Sequence, residues 1–366
     1  MDRHFIQGAT AKAVAEAHQL DLKNQDKYKC KAMTYWFDEN SGIAFCLIEA
    51  PDENAVIEMH KNSHGLVPNQ IIEVDGNIVK LFLGRISDPE TTKGLKEFEN
   101  FINETGYRTI VKIKLRFKLF LKLMYGEGKA METIGYLNKL IQESIKRYDG
   151  REIENADEGF MASFTSASNS VKCALEIKEN FEKFNKNSGC NISAAIGLCS
   201  GPPITDRSIF FGDTIKLAER LCDIADGNKV ILSSTVGDVY NERRFDVLND
   251  KAVKILNPSE DKFLNQLMEL TEKIWNDETF NVDNFSKQIG FSRTQLYRKV
   301  TSLTGYSPNE FLREYKLKRA LKLLEKKKGN ISEIAFESGF GNPSYFSKCF
   351  QRKFGILPSD YINRIA

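Results

Sequence analysis

The sequence predicts a multidomain protein: two α+β sandwich domains followed by an all-α domain that carries two helix-turn-helix units. Three observations lead there. A chain of 366 residues is too long for one compact core. Strand patterns interleave with amphipathic helices up to about Leu256, and no strand pattern follows. Beyond that point two stretches repeat each other at an offset of about 50 residues. Polar joints set the expected boundaries at 1–84, a linker 85–106 containing ISDPETTKG, 107–250, and 260–366 after KAVKILNPSED.

In the first segment TYWFDENSGIAFCLIEA reads as strand, turn and strand, with Asp38 to Gly42 supplying the turn chemistry. ATAKAVAEAHQLDL and DENAVIEMHKNSH read as helices capped by Thr10 and Asp52. In the second, AMETIGYLNKLIQESIKRY and NSVKCALEIKENFEKFN carry apolar residues at helical spacing, while GFMASF, ISAAIGLCSG and KVILSS read as buried strands.

The third segment holds the repeat. Phe291 answers to Phe340, Leu296 to Phe346, Gly305 to Gly355 and Pro308 to Pro358. In the first copy VDNFSKQIG stops at Gly290, and Ser292-Arg293-Thr294-Gln295 forms a capping box for a new helix. In the second, Asn330 to Glu333 starts a helix, Gly339 stops it, and Asn342-Pro343 opens the next. Between the copies, Ser307 to Glu310 opens a helix to about Lys327, roughly 28 Å long at 1.5 Å per residue. That length is enough to hold two recognition helices about one DNA turn, ~34 Å, apart.

Composition narrows the function classes. The chain is 41% hydrophobic and 28% charged, an ordinary globular balance. Neither a signal peptide nor an apolar run of membrane-spanning length is visible, so a soluble cytoplasmic protein with no membrane partner is expected. The seven cysteines are scattered and never form a CxxC pair, which suits reduced thiols. Net charge is +2, yet from residue 261 onward 18 Lys and Arg stand against 12 Asp and Glu. A near-neutral front joined to a basic tail suits a sensor carrying a nucleic-acid reader, although a helical bundle with a solvated basic face would carry the same charge.

The runs SRTQLYRKVTSLTGYSPNEFLREYKLKRALKLL and ISEIAFESGFGNPSYFSKCFQRKFGILPSDY resemble the AraC/XylS-type DNA-binding domain, over residues 280–365. The resemblance implies a transcription regulator that binds promoter DNA and works with RNA polymerase. It places the helices from Arg293 and from Pro343 in the major groove, with Arg293, Thr294, Gln295 and Arg298 in the first and Asn342, Ser344, Tyr345 and Lys348 in the second as contacts. Arg and Gln have forked donors for base edges, whereas Lys348, Arg352 and Lys353 suit phosphates. Leu296, Phe346 and Phe350 fall on the apolar face and read as core.

RTIVKIKLRF, REIENADEGFMASFTSASNSVKCALEI, AAIGLCSGPP and FFGDTIKLAERLCDIADGNKVILSSTV resemble a class III nucleotidyl cyclase domain over residues 107–250. Such domains act as dimers and use two carboxylates to hold two metals. Here the first carboxylate position carries Lys114, the small-residue phosphate loop is replaced by LRFKL, the second carboxylate is Glu158, the Asn position holds Lys216, and Arg220 keeps the family arginine. An ammonium cannot ligate a metal as a carboxylate does. The expectation is therefore no enzyme, but a homodimerising or signal-relay domain, with nucleotide binding at Lys114 left open.

All four histidines lie in the first 64 residues, and His60 and His64 share one helix face at the spacing of a metal-ligand pair, which ordinary surface histidines also show. The run from MDRHFIQGAT to NQIIEV is similar to a family of small ferredoxin-like domains, some of them described as nickel-binding. That likeness makes His4, His60 and His64 candidates for a divalent metal such as nickel, with Asp2 and Glu58 as oxygen donors. It also makes the two α+β domains ferredoxin-like in fold. The combined expectation is a regulator in which a signal at the front alters domain arrangement or dimerisation and hence promoter binding. Cyclase activity or a metal-binding sensor in the front two domains is the alternative.

Overall fold

A computed structural model describes residues 1–88, 104–116, 121, 125–153, 159–205, 209–225, 229–242, 252–277, 282–326 and 329–365. The chain forms two compact units, one of Met1–Phe117 with Met131–Leu256 and one of Lys118–Ala130 with Asn257–Ala366.

The first unit opens with β1 (Asp2–Phe5), α1 (Ala11–Asn24), β2 (Lys31–Asp38), β3 (Ile43–Glu49), α2 (Glu53–Ser63) and β4 (Gln70–Ile71). The strands form an antiparallel sheet in the order β2-β3-β1-β4, the ferredoxin-like arrangement expected. Both helix starts are capped as predicted, since Thr10 Oγ1 accepts from Ala13 N at 3.2 Å and Asp52 Oδ1 from Ala55 N at 2.9 Å. Strand alternation sends Tyr35 and Phe37 to the face that packs on Val14 of α1. The opposite face buries Trp36 and Phe45, with the Arg85 guanidinium over the Trp36 ring.

Helix α3 (Gly76–Leu83) packs against the second sheet. Phe82 stacks on Phe211, and the Phe82 carbonyl accepts from Ser163 Oγ at 2.8 Å and Arg108 Nε at 3.2 Å. A helix end leaves carbonyls without intrahelical partners, and buried Arg108 supplies them. Of the linker expected at 85–106, residues 89–103 lie outside the described residues; Arg85 and Glu104 at its ends are ion-paired, and Glu104 also pairs with Arg108.

The second sheet comprises β5 (Arg108–Arg116), β6 (Arg151–Ile153), β7 (Phe160–Phe164), β8 (Ser193–Gly201), β9 (Val230–Leu232) and β10 (Val253–Ile255), ordered β10-β9-β8-β5-β7-β6. Its helices are α4 (Glu127–Arg147), α5 (Ala167–Ser188), α6 (Gly212–Ile224) and α7 (Ser234–Glu242). Central strands β5 and β8 bury Ile110, Ile113, Ile196 and Leu198 completely. Gly197 lets α6 approach β8 closely, since a Cβ there would lie 2.3 Å from Cys222 N. One boundary needs correction: the sheet runs past Asp250, because VKI in the supposed joint pairs in parallel with β9. Three residues of edge strand are too short to leave a periodic signal.

The second unit is helical, as predicted: α8 (Pro258–Ile274), α9 (Val282–Ile289), α10 (Arg293–Thr304), α11 (Pro308–Glu325), α12 (Ile331–Glu337), α13 (Pro343–Phe354) and α14 (Pro358–Ile365). The capping boxes at Ser292, Ser307 and Asn330 all form, with side chain and backbone bonds in both directions. Gly290 and Gly339, matched in the repeat, turn the chain at φ +79° and +74°, where a side chain would be strained. No described helix is long and apolar enough to cross a membrane.

Candidate nucleic-acid interface and buried histidine cluster

Each copy of the repeat is a helix, a glycine turn and a second helix. In the second copy Phe340, Phe346, Phe350 and Tyr361 form a chain of ring contacts around Leu317, Ala320 and Leu324 of α11. Leu296, Phe346 and Phe350 are fully buried, as expected of the apolar face. With those faces turned in, Arg293, Thr294, Gln295 and Arg298 on α10 and Asn342, Ser344, Tyr345, Lys348, Arg352 and Lys353 at α13 are all exposed. Tyr345 stands 52% exposed on its helix, and Tyr297 56% on the matching one.

Several of these side chains already have work inside the protein. Gln295 Oε1 accepts from Ser292 N at 3.0 Å, and Asn342 Oδ1 accepts from Tyr345 N at 2.9 Å, so both hold helix starts. Arg293 is ion-paired with Asp283 and Lys353 with Glu314. On α11, Lys316 Nζ donates to Gly339 O at 2.7 Å and Arg319 lies over the Trp275 ring, which makes them clamps on neighbouring turns.

In the middle domain, β5 presents a cation at every second position toward α6. Lys112 Nζ lies 3.5 Å from Glu219 Oε1, Lys114 Nζ 3.0 Å from Asp223 Oδ1, and Arg116 donates to Ala225 O at 2.7 Å. Lys114, where the cyclase resemblance puts a carboxylate, is therefore part of a strand-to-helix ladder of two ion pairs and a carbonyl bond. Arg220 is buried and Lys216 half-buried, while Glu158 lies outside the described residues.

The front domain brings its polar residues under the helices. Period two puts Asp2 and His4 on one face of β1, and the antiparallel register sets Cys46 of β3 opposite Asp2. His60 in the last turn of α2 is followed by His64 as its C-cap, and helical spacing puts His18 and Asp21 on one face of α1. Of these groups His4, His18, Asp21, Cys46, His60 and His64 line a cavity of about 20 Å³, too small for a metabolite. His60 Nε2 is 2.9 Å from Asp2 Oδ2, and its Nδ1 lies 3.1 Å from both His64 Nε2 and Asp21 Oδ2.

Burial opposes charge on the His60 ring, but the hydrogen bonds to Asp2 and Asp21 outweigh it and lift its pKa to about 9. Burial likewise opposes the Asp21 carboxylate, and the bonds from His60 and His64 prevail, bringing it down to about 2. Asp2 is held well below the usual carboxylate range against its own burial by His4 and His60. The Cys46 thiol is pushed far up by burial and by Asp2 and Asp21.

The expected histidines His4, His60 and His64 do converge, and they are buried or half-buried where a surface pair was the alternative. The expected donor Glu58 does not join them: two residues before His60, it stands on the exposed side of α2 and pairs with Lys61. Asp21 and Cys46 were missed. The spacing of His18 and Asp21 on one helix face is a usable signal for the first, whereas Cys46 has no local signal.

Comparison with known proteins matches residues 1–74 to the family described as nickel responsive protein SCO4226-like, and residues 285–364 to that described as helix-turn-helix domain. The chain is 46% identical over 105 residues to Histidine kinase P4 of Formosa agariphila, a match covering 29% of this chain and 8% of that protein. It is 31% identical over 102 residues to the HTH-type transcriptional regulator MtrA of Neisseria gonorrhoeae, covering 28% of this chain and 34% of that one. It is 32% identical over 97 residues to the HTH-type transcriptional activator RhaS of Escherichia coli, covering 26% and 34%. The chain thus spans about a third of the length of these two regulators and much less of the kinase.

Among solved structures, the DNA-binding domain of AdpA in complex with a target DNA is 26% identical, with TM-score 0.26, covering 28% of this chain and 89% of that one. An adenylate/guanylate cyclase/hydrolase from Silicibacter pomeroyi is 20% identical, with TM-score 0.33, covering 38% and 82%. The chain carries an SCO4226-like domain at its front and an AraC-type helix-turn-helix domain at its end.

Proposed function

We propose that the protein is a sequence-specific DNA-binding transcription regulator whose front domains receive a signal. The observation that carries this is the paired helix-turn-helix of residues 285–364, with ten candidate contact residues exposed on the helices after the two glycine turns. Arg298 and Ser344 read bases, Lys348 and Arg352 meet phosphates, and Tyr345 offers an aromatic edge beside them. Gln295 and Asn342 act mainly by holding the helix starts, and Arg293 and Lys353 exchange a carboxylate partner for DNA. The test is binding of full-length protein to its own upstream DNA against random DNA over a salt series. A specific complex that outlasts the salt-sensitive background supports the proposal, and a purely nonspecific one overturns it.

The signal is a divalent metal in the front domain. What supports this is the pair of buried polar atoms that lack a hydrogen-bond partner, His4 Nδ1 and Asp21 Oδ1, which ordinary packing would not leave so. Asp21, His60 and His64 would hold the ion, and imidazole with carboxylate suits nickel or zinc. A bound cation would supply the charge that ties α1 to α2. The middle domain serves as a non-catalytic relay and dimerisation element, because Lys114 and Asp223 occupy each other. Sedimentation showing only monomer at micromolar concentration would remove the dimer, and cyclic nucleotide formed from ATP or GTP with Mn²⁺ would reinstate the enzyme. Recruitment of RNA polymerase by the DNA-bound dimer completes the proposal and is read by transcription from the bound promoter in vitro.

A further inference from the structure

The three histidines expected to work together fall into two groups. Asp21, His60 and His64 form one, and Asp2, His4 and Cys46 the other, with the ligand atoms of each group within 4.8 Å of one another. We propose that the front domain binds two divalent cations, the second in a sulfur-containing site made by Asp2, His4 and Cys46, with the His60 imidazole standing between the two. This deepens the metal reading above and rests on it.

The second group has features that internal packing leaves unexplained. The His4 side chain is 5% exposed, its Nδ1 has no hydrogen-bond partner, and its Nε2 has only a long ion-pair contact with Asp2. Its Nε2 lies 3.4 Å from Asp2 Oδ1, a separation suited to two ligands of one ion. Asp2 divides its oxygens between the groups: Oδ1 faces His4 and the Cys46 amide, while Oδ2 faces His60. His60 repeats the division, with Nε2 toward Asp2 and Nδ1 toward Asp21 and His64. A ring whose two nitrogens point at two donor groups has the geometry of a bridge.

The donor chemistry selects the ion. A thiol with imidazole and carboxylate suits zinc, nickel or cobalt, and disfavours magnesium and calcium, which prefer oxygen alone. On loading, the Cys46 S–H bond breaks and an S–metal bond forms, the proton going to solvent. Where the His60 ring bridges, each ring N–H bond gives way to an N–metal bond and its proton also goes to solvent. Two dipositive ions then balance the carboxylates of Asp2 and Asp21, the Cys46 thiolate and the bridging ring.

The experiment uses chelator-stripped full-length protein loaded with Co²⁺ alone, read by metal content after dialysis and by absorption. Two Co²⁺ per chain and a thiolate-to-cobalt charge-transfer band in the near ultraviolet are expected. Cys46→Ser and His4→Ala should each leave one ion, Cys46→Ser without the band, whereas His64→Ala should lose the other ion and keep the band. A folded His60→Ala that keeps both ions would overturn the bridge. One ion per chain in the parent, or a band that survives Cys46→Ser, would overturn the second site alone. No bound Co²⁺ at all would overturn the metal reading of the whole front domain. Circular dichroism separates unfolding from ligand loss, and His4→Gln serves if His4→Ala fails to fold.

Discussion

The histidine cluster and the paired recognition helices treat polar side chains in opposite ways. Asp2, His4, Asp21 and His60 are buried in a ferredoxin-like domain, where charges must be paired or loaded with an ion. Arg298, Ser344, Lys348 and Arg352 stand in water on helices whose other face is packed core, aliphatic in the first copy and aromatic in the second, and their solvation costs little. The difference teaches where each region is sensitive. The end domain should tolerate loss of an exposed residue and fail when its core is cut, whereas in the front domain the polar cluster and the packing are the same atoms.

Core truncation in the end domain tests that contrast most directly. Phe346→Ala removes the ring between Phe340 and Phe350 and should destabilise the domain by about 3–5 kcal/mol in denaturant unfolding, with DNA binding lost. A cost below about 1 kcal/mol would mean that the aromatic chain is no core. Contact residues come next. Arg298→Ala should leave folding intact and cost about 1–3 kcal/mol of DNA affinity, confined to particular base pairs when the site is varied one pair at a time. Lys348→Ala should weaken all sequences alike and lower the salt slope by about one.

Asn342→Ala separates capping from reading. Loss of the bond from Tyr345 N should cost about 1 kcal/mol of stability without changing base preference, and a changed preference would return Asn342 to the DNA contacts.

The mildest test is pH on metal-free protein. His60, raised from 6.5 to about 9, contributes fully below pH 6.5 and loses its contribution as the pH climbs through 9. Asp21, lowered from 3.8 to about 2, contributes fully above pH 3.8 and loses it as the pH falls through 2. The thermal midpoint of the first unit should therefore be highest between pH 3.8 and 6.5, and a midpoint still rising from 6.5 to 9 would break the assignment of the ion pairs.

Local chemistry was legible in the sequence. The capping boxes at Ser292, Ser307 and Asn330, the glycine stops at Gly290 and Gly339, the strand alternation and the repeat depend on neighbours a few residues apart, and each stands where the pattern put it. The convergence of His60 with His64 was visible for the same reason, as a spacing on one helix. Tertiary structure alone decided the rest. Cys46 meets Asp2 through cross-strand register, Asp21 meets His60 because α1 lies beside α2, α3 serves the second sheet because Arg108 caps it, and Lys114 is engaged because Asp223 falls opposite it on α6. A sequence states which residues share a face of one element by its period, but which faces then meet depends on how distant elements are paired, and no local period carries that information.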